Sequence, residues 1–376
     1  MKVVYISDAV IPSLTANSIQ VMKMCQAFKT IGHEIKLIIP NNPKFNKYDI
    51  PWSSRWDHYG IDKRFNIVPI DCKSEYEYQK NLIKLITSLK PDLVYSRNIF
   101  ATFLMVILGF ETICEIHSPR FHWLHKIIFP IIIRLNAFLS IVVISNALKS
   151  ILLRENNHFF LYQKKIKVLH DGVDIERFHI EQDKNNLRKE LNLNYNLSMV
   201  GYAGHLYKGR GINLIFDISK NLPNCKFIII GGNQKDIQLR KKVMKEKRIK
   251  NIVFTGFIKN HDLPKYLAAM DILLMPYKNK VQISGGGGDT SKWMSPLKMF
   301  EYMASGTAVV SSDLPVLREV LSENNSILCD PNNKDQWIIA INKLLSDKLF
   351  KSNIEKNARR KVKLFDWTIR AEKALN

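Results

Sequence analysis

The sequence predicts an α/β protein made of two successive doubly wound parallel sheets. Three observations carry that prediction. Short apolar runs of strand length alternate with segments whose apolar residues recur at helical spacing. The series pauses in a polar stretch at Glu181–Leu193 and restarts at Ser198. Finally, 376 residues that are 46% hydrophobic suit two cores better than one.

In chain order, Val3–Ile6 is the first strand, Ser18–Ile31 a helix, and Glu34–Ile39 a strand entered through Gly32-His33 as the helix stop. A strand, a helix and a strand in succession imply parallel pairing. Further strands fall at Asn66–Ile70, Leu93–Tyr95, Thr112–Ile116, Ile141–Ile144 and Lys167–Leu169. After Asp171-Gly172-Val173-Asp174 the second series places strands at Ser198–Tyr202, Lys226–Ile230, Ile252–Thr255, Ile272–Met275, Ala308–Ser311 and Ile327–Leu328. No low-complexity linker separates the halves, so element order sets the boundaries at 1–180, 181–352 and 353–376. Ligands of open α/β sheets bind beyond the carboxyl ends of the strands, so two such sheets facing each other would form a cleft.

Composition narrows the function classes. Five scattered cysteines include no Cys-x-x-Cys pair and no metal-ligand spacing, which points to a reducing compartment and to neither disulfides nor zinc. Met1–Ser7 runs directly into a strand and does not read as a signal peptide, so a cytoplasmic location is expected. Ile127–Ser145 is the most apolar region, but Arg134 and Asn136 interrupt it short of the roughly 20 residues of a membrane span. It reads as a buried helix followed by a strand. The net charge of +22 includes the run Arg240–Lys250, read as a solvated helix face, with an anionic membrane surface as the functional alternative. No nucleic-acid motif accompanies the charge, so nucleic acid is not expected as a partner.

Two stretches carry chemistry. Gly201–Gly211 follows a strand and leads into the helical Ile212–Lys220. Its glycines let backbone amides approach a phosphate, the helix N-terminus adds partial positive charge, and His205, Lys208 and Arg210 add more. The spacing is neither GxGxxG nor GxxxxGK[ST], and packing alone explains such a turn equally well. The second stretch is Ser295–Gly306, then the strand Thr307–Ser311 and Asp313–Glu319. Pro296 suits a helix's first turn, and Glu301 stands one to two turns in, where a carboxylate can reach a pair of ligand hydroxyls.

Ser295–Gly306 with Ala308–Pro315 resembles the donor-binding motif of the retaining nucleotide-sugar glycosyltransferases of family 4, which have the two-domain GT-B fold. Agreement extends through Ser18–Val21, Gly32–Glu34, Glu115–Ser118, Ile144–Leu148, His170–Asp174, Phe254–Phe257 and Asp271–Pro276. The resemblance implies that Glu301 binds the donor ribose and that the amides around Leu297 and Lys298, with Gly204, His205 and Arg210, hold the diphosphate. It further implies that Phe257 and Ile258 receive the base, that His117 faces the transferred sugar, and that a terminal helix within 353–376 crosses back to the first domain. The implied reaction retains the anomeric configuration by front-face substitution, with a donor phosphate oxygen taking the acceptor proton and no metal or other cofactor required. The partners so implied are a UDP- or GDP-sugar and a glycan or lipid-linked acceptor, as in bacterial cell-surface polysaccharide synthesis at the inner face of the membrane.

Three positions depart from the family pattern. Trp293 replaces the second glutamate usual eight residues before Glu301, leaving Asp289, Lys292, Trp293 and Ser295 as candidate sugar contacts. His205 stands where arginine is frequent in the phosphate turn, and its charge depends on pH. The glycine pair common in the first acceptor-side loop is absent from Pro12–Ser18, where Asn17 and Ser18 are the candidates. The glycine run Gly285–Gly288 reads as either a mobile loop over the donor or a plain surface loop. Two rivals keep the same fold: a sugar-nucleotide epimerase, and a sugar-nucleotide-binding subunit without catalysis.

Overall fold

A computed structural model of the chain describes all residues except 42–49, 121, 156–159, 161, 194–195 and 283–287. Gly285–Gly287 of the glycine run therefore lie outside the described residues. The chain divides into two compact units, Met1–Asp171 with Trp367–Asn376, and Gly172–Asp366.

The first unit holds a seven-stranded sheet of β1 (Lys2–Ile6), β2 (Glu34–Asn41), β3 (Asn66–Asp71), β4 (Leu93–Ser96), β5 (Thr112–Ile116), β6 (Phe138–Val143) and β7 (Ile166–Val168). Its order is β3-β2-β1-β4-β5-β6-β7, with parallel pairing throughout. The second unit holds β8 (Ser198–Ala203), β9 (Cys225–Ile230), β10 (Ile252–Gly256), β11 (Ile272–Met275), β12 (Ala308–Ser312) and β13 (Ile327–Cys329) in the order β10-β9-β8-β11-β12-β13, again parallel. Each sheet is thus doubly wound, and its order reverses once, between β1 and β4 and between β8 and β11. Such a reversal opens a crevice at the carboxyl ends of the two strands, where α/β folds bind ligands.

Burial explains why these runs became strands. β4, β5, β8, β11 and β12 are almost wholly buried, as expected of central parallel strands covered on both faces. Polar caps start the helices between them: Thr15 accepts from Ser18 N–H, Ser74 from Glu77 N–H, Asn98 from Ala101 N–H and Asn233 from Asp236 N–H.

The unit boundary differs from the one read from element order. The second unit begins at Gly172, not near 181, because Val173 N–H donates to Phe365 C=O and Val173 bridges Asp366. At the other end, the helix Lys348–Val362 packs on the helix Leu297–Ser305 of the second unit, and only Trp367–Leu375 joins the first.

A second difference concerns the apolar region around 127–145. Its helix, Trp123–Ile132, is not buried: Ile128, Phe129 and Ile132 face the core, while Trp123, Leu124, Ile127 and Ile131 are exposed. The two sets lie on opposite faces of a 3.6-residue helix, a periodicity that the uniformly apolar composition concealed. Among the described residues no helix is long and apolar enough to cross a membrane. The basic run lies along the helix Gln234–Glu246, in which only Ile237 is buried, so it is the solvated face expected.

Candidate functional site

In the second unit the reversal between β8 and β11 brings together the two stretches singled out by sequence. β8 ends at Ala203, just before Gly204, and β11 at Met275, just before Pro276-Tyr277, and the helix Leu297–Ser305 starts beside them. The turn that follows Gly204 is laid tightly against the loop after β11. Gly211 has φ +78° and caps the helix Ile212–Asn221, and a Cβ there would stand 1.8 Å from the Pro276 carbonyl oxygen. Packing therefore accounts for that glycine. Gly204 has a different role, because a Cβ on it would meet Lys298 Nζ at 2.7 Å, so the missing side chain is what admits the ammonium group. Arg240 steadies the turn by donating to the Leu206 carbonyl at 2.9 Å.

The charges here are unusual. Lys298 Nζ lies 4.1 Å from the centre of the Tyr202 ring and 5.4 Å from that of Tyr277. Arg210 Nη1 donates to the Tyr277 hydroxyl at 3.0 Å, and its Nε is buried with no hydrogen-bond partner among the described residues. Burial and the nearby Arg210 hold the Lys298 ammonium well below the usual lysine range, against the opposing pull of Glu301. Aromatic faces offer two cations some attraction, but far less than an anion would. The site is thus built around positive charge that no described carboxylate neutralises by direct contact. The first turn of a helix is an unfavourable place for lysine, since the helix dipole is positive there. That misfit is the signal in the sequence for the Lys298 side chain, beyond the backbone amide that the family resemblance implies.

The other candidates take distinct places. Leu297 opens the helix and Glu301 sits partly exposed one turn further on. His205 stacks on Tyr207 with ring centres 4.7 Å apart, and its carbonyl accepts from the Tyr202 hydroxyl at 2.6 Å. Phe257 is half exposed and Ile258 partly buried just beyond β10, next to Gly256, whose carbonyl accepts from Gly231 N–H at 2.8 Å. Asp289 binds its own loop, accepting from the backbone of Val281 and Ser291 at 2.9 Å each. Trp293 and Ser295 are buried and Lys292 is exposed.

In the first unit, His117 follows β5 and is linked to a buried network. Glu115, fully buried, accepts through Oε1 from Gln20 Nε2 at 2.8 Å, from His117 Nε2 at 2.6 Å and from Arg370 Nη2 at 2.7 Å, and through Oε2 from the Tyr95 hydroxyl at 2.5 Å. Arg97 Nη1 donates to Gln20 Oε1 at 2.7 Å. Burial works to raise the Glu115 carboxyl, but Arg370, His117 and Arg97 outweigh it and hold it well below the usual range. His117 is pushed down to about 4 by burial and by Arg97, with Glu115 opposing. Asp171 moves the other way, up to about 7, because burial outweighs Arg370. Ligand-type atoms of Glu115, His117 and Asp171 lie within 4.8 Å of one another, but Arg370 already supplies a cation there, 2.7 Å from Glu115 and 4.0 Å from Asp171. The sequence reading named His117 alone. Its partner Glu115 lies two residues before it, but the groups that bind Glu115 in turn come from β4, the first helix and the last, and no local pattern joins them. Of the loop candidates, Asn17 is exposed, and Ser18 is buried with its hydroxyl engaged by Ser13 and Thr15.

Comparison with known proteins places both halves of the chain in known families. The family Glycosyl transferases group 1 matches residues 183–361, and Glycosyltransferase Family 4 matches residues 18–177. A glycosyltransferase of Methanocaldococcus jannaschii, described as uncharacterized, is 27% identical over 222 residues, 57% of this chain and 54% of that protein. The processive diacylglycerol alpha-glucosyltransferase of Acholeplasma laidlawii is 23% identical over 172 residues, 45% of this chain and 47% of the relative. The matches to these curated relatives thus span about half of their length. Anabaena Alr3699/HepE in complex with UDP has the same fold, with a TM-score of 0.75 at 15% identity over 99% of this chain and 98% of that one. With both family patterns placed along the chain and both doubly wound sheets present, this protein belongs to the group 1, family 4 glycosyltransferases of the GT-B fold.

Proposed function

We propose that the chain is a retaining hexosyltransferase that uses a nucleoside diphosphate sugar, UDP- or GDP-linked, as donor. The observation that carries this reading is the pair Arg210 and Lys298, two close cations of which one has a buried, unpartnered N–H, at the switch point of the second sheet. A diphosphate supplies the missing anion. Glu301, one turn along the same helix, is the proposed ribose ligand, and Phe257 and Ile258 the base contacts. Anabaena HepE has been crystallised with UDP and with UDP-glucose, which supports this donor class.

In the proposed reaction the bond between the sugar's anomeric carbon and the diphosphate oxygen breaks as the acceptor hydroxyl forms its new bond on the same face. The acceptor proton passes to a diphosphate oxygen. Arg210, Lys298 and the amides at the start of the helix Leu297–Ser305 stabilise the charge that develops on the leaving group. Since these groups supply the positive charge, a chelator is expected to leave turnover unchanged. His117 is the proposed contact for the transferred sugar, with Trp293, Ser295 and Lys292 as further candidates.

For the acceptor we propose a glycan or lipid-linked molecule met at an anionic membrane surface from the cytoplasmic side. The exposed stripe Trp123, Leu124, Ile127 and Ile131 supports this, since no acidic residue occurs between Glu115 and Glu155 while Arg120, Lys126 and Arg134 flank it. The Acholeplasma relative, named for diacylglycerol, is consistent with a lipid acceptor. The test is donor consumption with and without acceptor. Release of nucleoside diphosphate that requires acceptor, with the product's anomeric configuration read by NMR, is expected. Interconversion of the donor without acceptor indicates an epimerase, and binding without turnover a non-catalytic subunit. Co-sedimentation with anionic but not neutral vesicles at low salt, lost on Ile127→Glu, tests the membrane contact.

A further inference from the structure

We propose that Arg370, on the terminal helix Trp367–Leu375, is a positioning residue for glycosyl transfer: through Glu115 it fixes His117 as a neutral imidazole with its proton on Nε2 and an unprotonated Nδ1. The inference rests on the proposed part of His117 in the reaction, and it adds which tautomer is used and what selects it.

The geometry sets the tautomer. An ionised carboxylate only accepts hydrogen bonds, so the 2.6 Å contact between His117 Nε2 and Glu115 Oε1 requires the proton on Nε2. Among the described residues Nδ1 makes no hydrogen bond, and it contributes to the 23% of the side chain that stays exposed. A neutral ring therefore presents a lone pair at Nδ1, suited to accept from a sugar hydroxyl. A second proton on the ring would turn that acceptor into a donor.

Burial and Arg97 keep the second proton off, and Arg370, bound to the same carboxylate, adds to them. The charged groups acting on the ring are Glu115 on β5, Arg97 just after β4 and Arg370 on the terminal helix; Asp171, beyond β7, lies within 4.8 Å, and Tyr95 on β4 meets the Glu115 carboxylate. Glu115 alone would draw a proton onto the imidazole. Arg97 opposes that pull most strongly among the charges, and Arg370, at 2.7 Å from the same carboxylate oxygen, opposes it from the carboxylate's side. Arg370 is itself held in place, with Nε donating to His170 C=O at 2.8 Å and Nη2 to Leu169 C=O at 3.3 Å. Its planar fork engages the carboxylate and two carbonyls together, which a lysine cannot match.

The test joins spectroscopy to kinetics on the full chain. In ¹⁵N imidazole spectra at pH 7, with His117 assigned from the missing signal of His117→Gln, the wild type is expected to show a neutral ring protonated on Nε2. Imidazolium, or a proton on Nδ1, overturns the proposal. Arg370→Met is expected to lower kcat on the order of 10-fold to 100-fold. Its acidic limb in kcat/KM moves to higher pH, because Glu115 then acts on the ring with less compensation, and activity recovers as the pH rises. Arg370→Lys, which keeps the charge, is expected to keep that limb near its wild-type position. A folded Arg370→Met with the wild-type pH profile and tautomer overturns the positioning role. If that variant does not fold, the wild-type spectrum and the Arg370→Lys profile still decide. Full activity in His117→Gln would instead remove the underlying role of His117, so the two failures are distinguishable.

Discussion

The two charged clusters of this protein are built on opposite principles. In the first unit Arg370, Glu115, Gln20, Arg97 and Tyr95 satisfy one another through short hydrogen bonds, so the network is closed. In the second unit Arg210 and Lys298 sit together over tyrosine rings with no carboxylate in direct contact among the described residues, so the cluster is open and lacks an anion. A closed network fixes geometry and protonation. An open one stores electrostatic free energy that an anionic ligand releases on binding. The difference separates the group that orients from the group that binds.

The comparison is most strongly broken by disturbing the backbone under the open cluster. Gly211→Ala forces a Cβ to 1.8 Å from the Pro276 carbonyl oxygen at φ +78°, and is expected to cost about 2–4 kcal/mol, read as a fall in the denaturation midpoint. Next come Arg210→Ala and Glu301→Ala, each expected to reduce transfer by at least ~10-fold, since each removes a charge-assisted contact worth roughly 1.5–3 kcal/mol. Wild-type rates in both folded variants would contradict the assignment. A smaller effect concerns protons. Burial and Arg210 lower the Lys298 ammonium in the free protein, and a bound diphosphate raises it again. Nucleotide binding should therefore take up protons, and affinity should fall as pH rises through the free-state value. Calorimetry in buffers of different ionisation heat checks this, and proton release would contradict it. Tyr277→Phe, which removes one hydrogen bond to Arg210, is the mildest change, expected to weaken nucleotide binding by roughly 0.5–1.5 kcal/mol.

The fold was legible because its signals are local. Each strand is a short apolar run, and the restart at Ser198 marks the second sheet. The ends of the units were less so: the return at Trp367 depends on Val173 meeting Phe365 and Asp366, a contact that no local pattern encodes. Arg210, Glu301 and His117 were visible because each sits in a motif. Lys298 was half visible, as an amide at a helix start, and its side chain became meaningful only with Gly204 beside it. Arg370 was invisible, since it lies 255 residues from Glu115 and no motif includes it.

The central claim is that the open cation cluster holds a nucleoside diphosphate, and Lys298→Met tests it most directly by thermal shift with UDP and GDP. Without ligand the variant should be more stable, by about 1–3 kcal/mol, because an enclosed ammonium has been replaced by an apolar chain of similar length. With ligand, the wild type should gain stability in proportion to the logarithm of nucleotide concentration, with a preference for one base, and the variant should lose most of that gain. Equal nucleotide-induced shifts in the two proteins, or none in the wild type, would contradict the account.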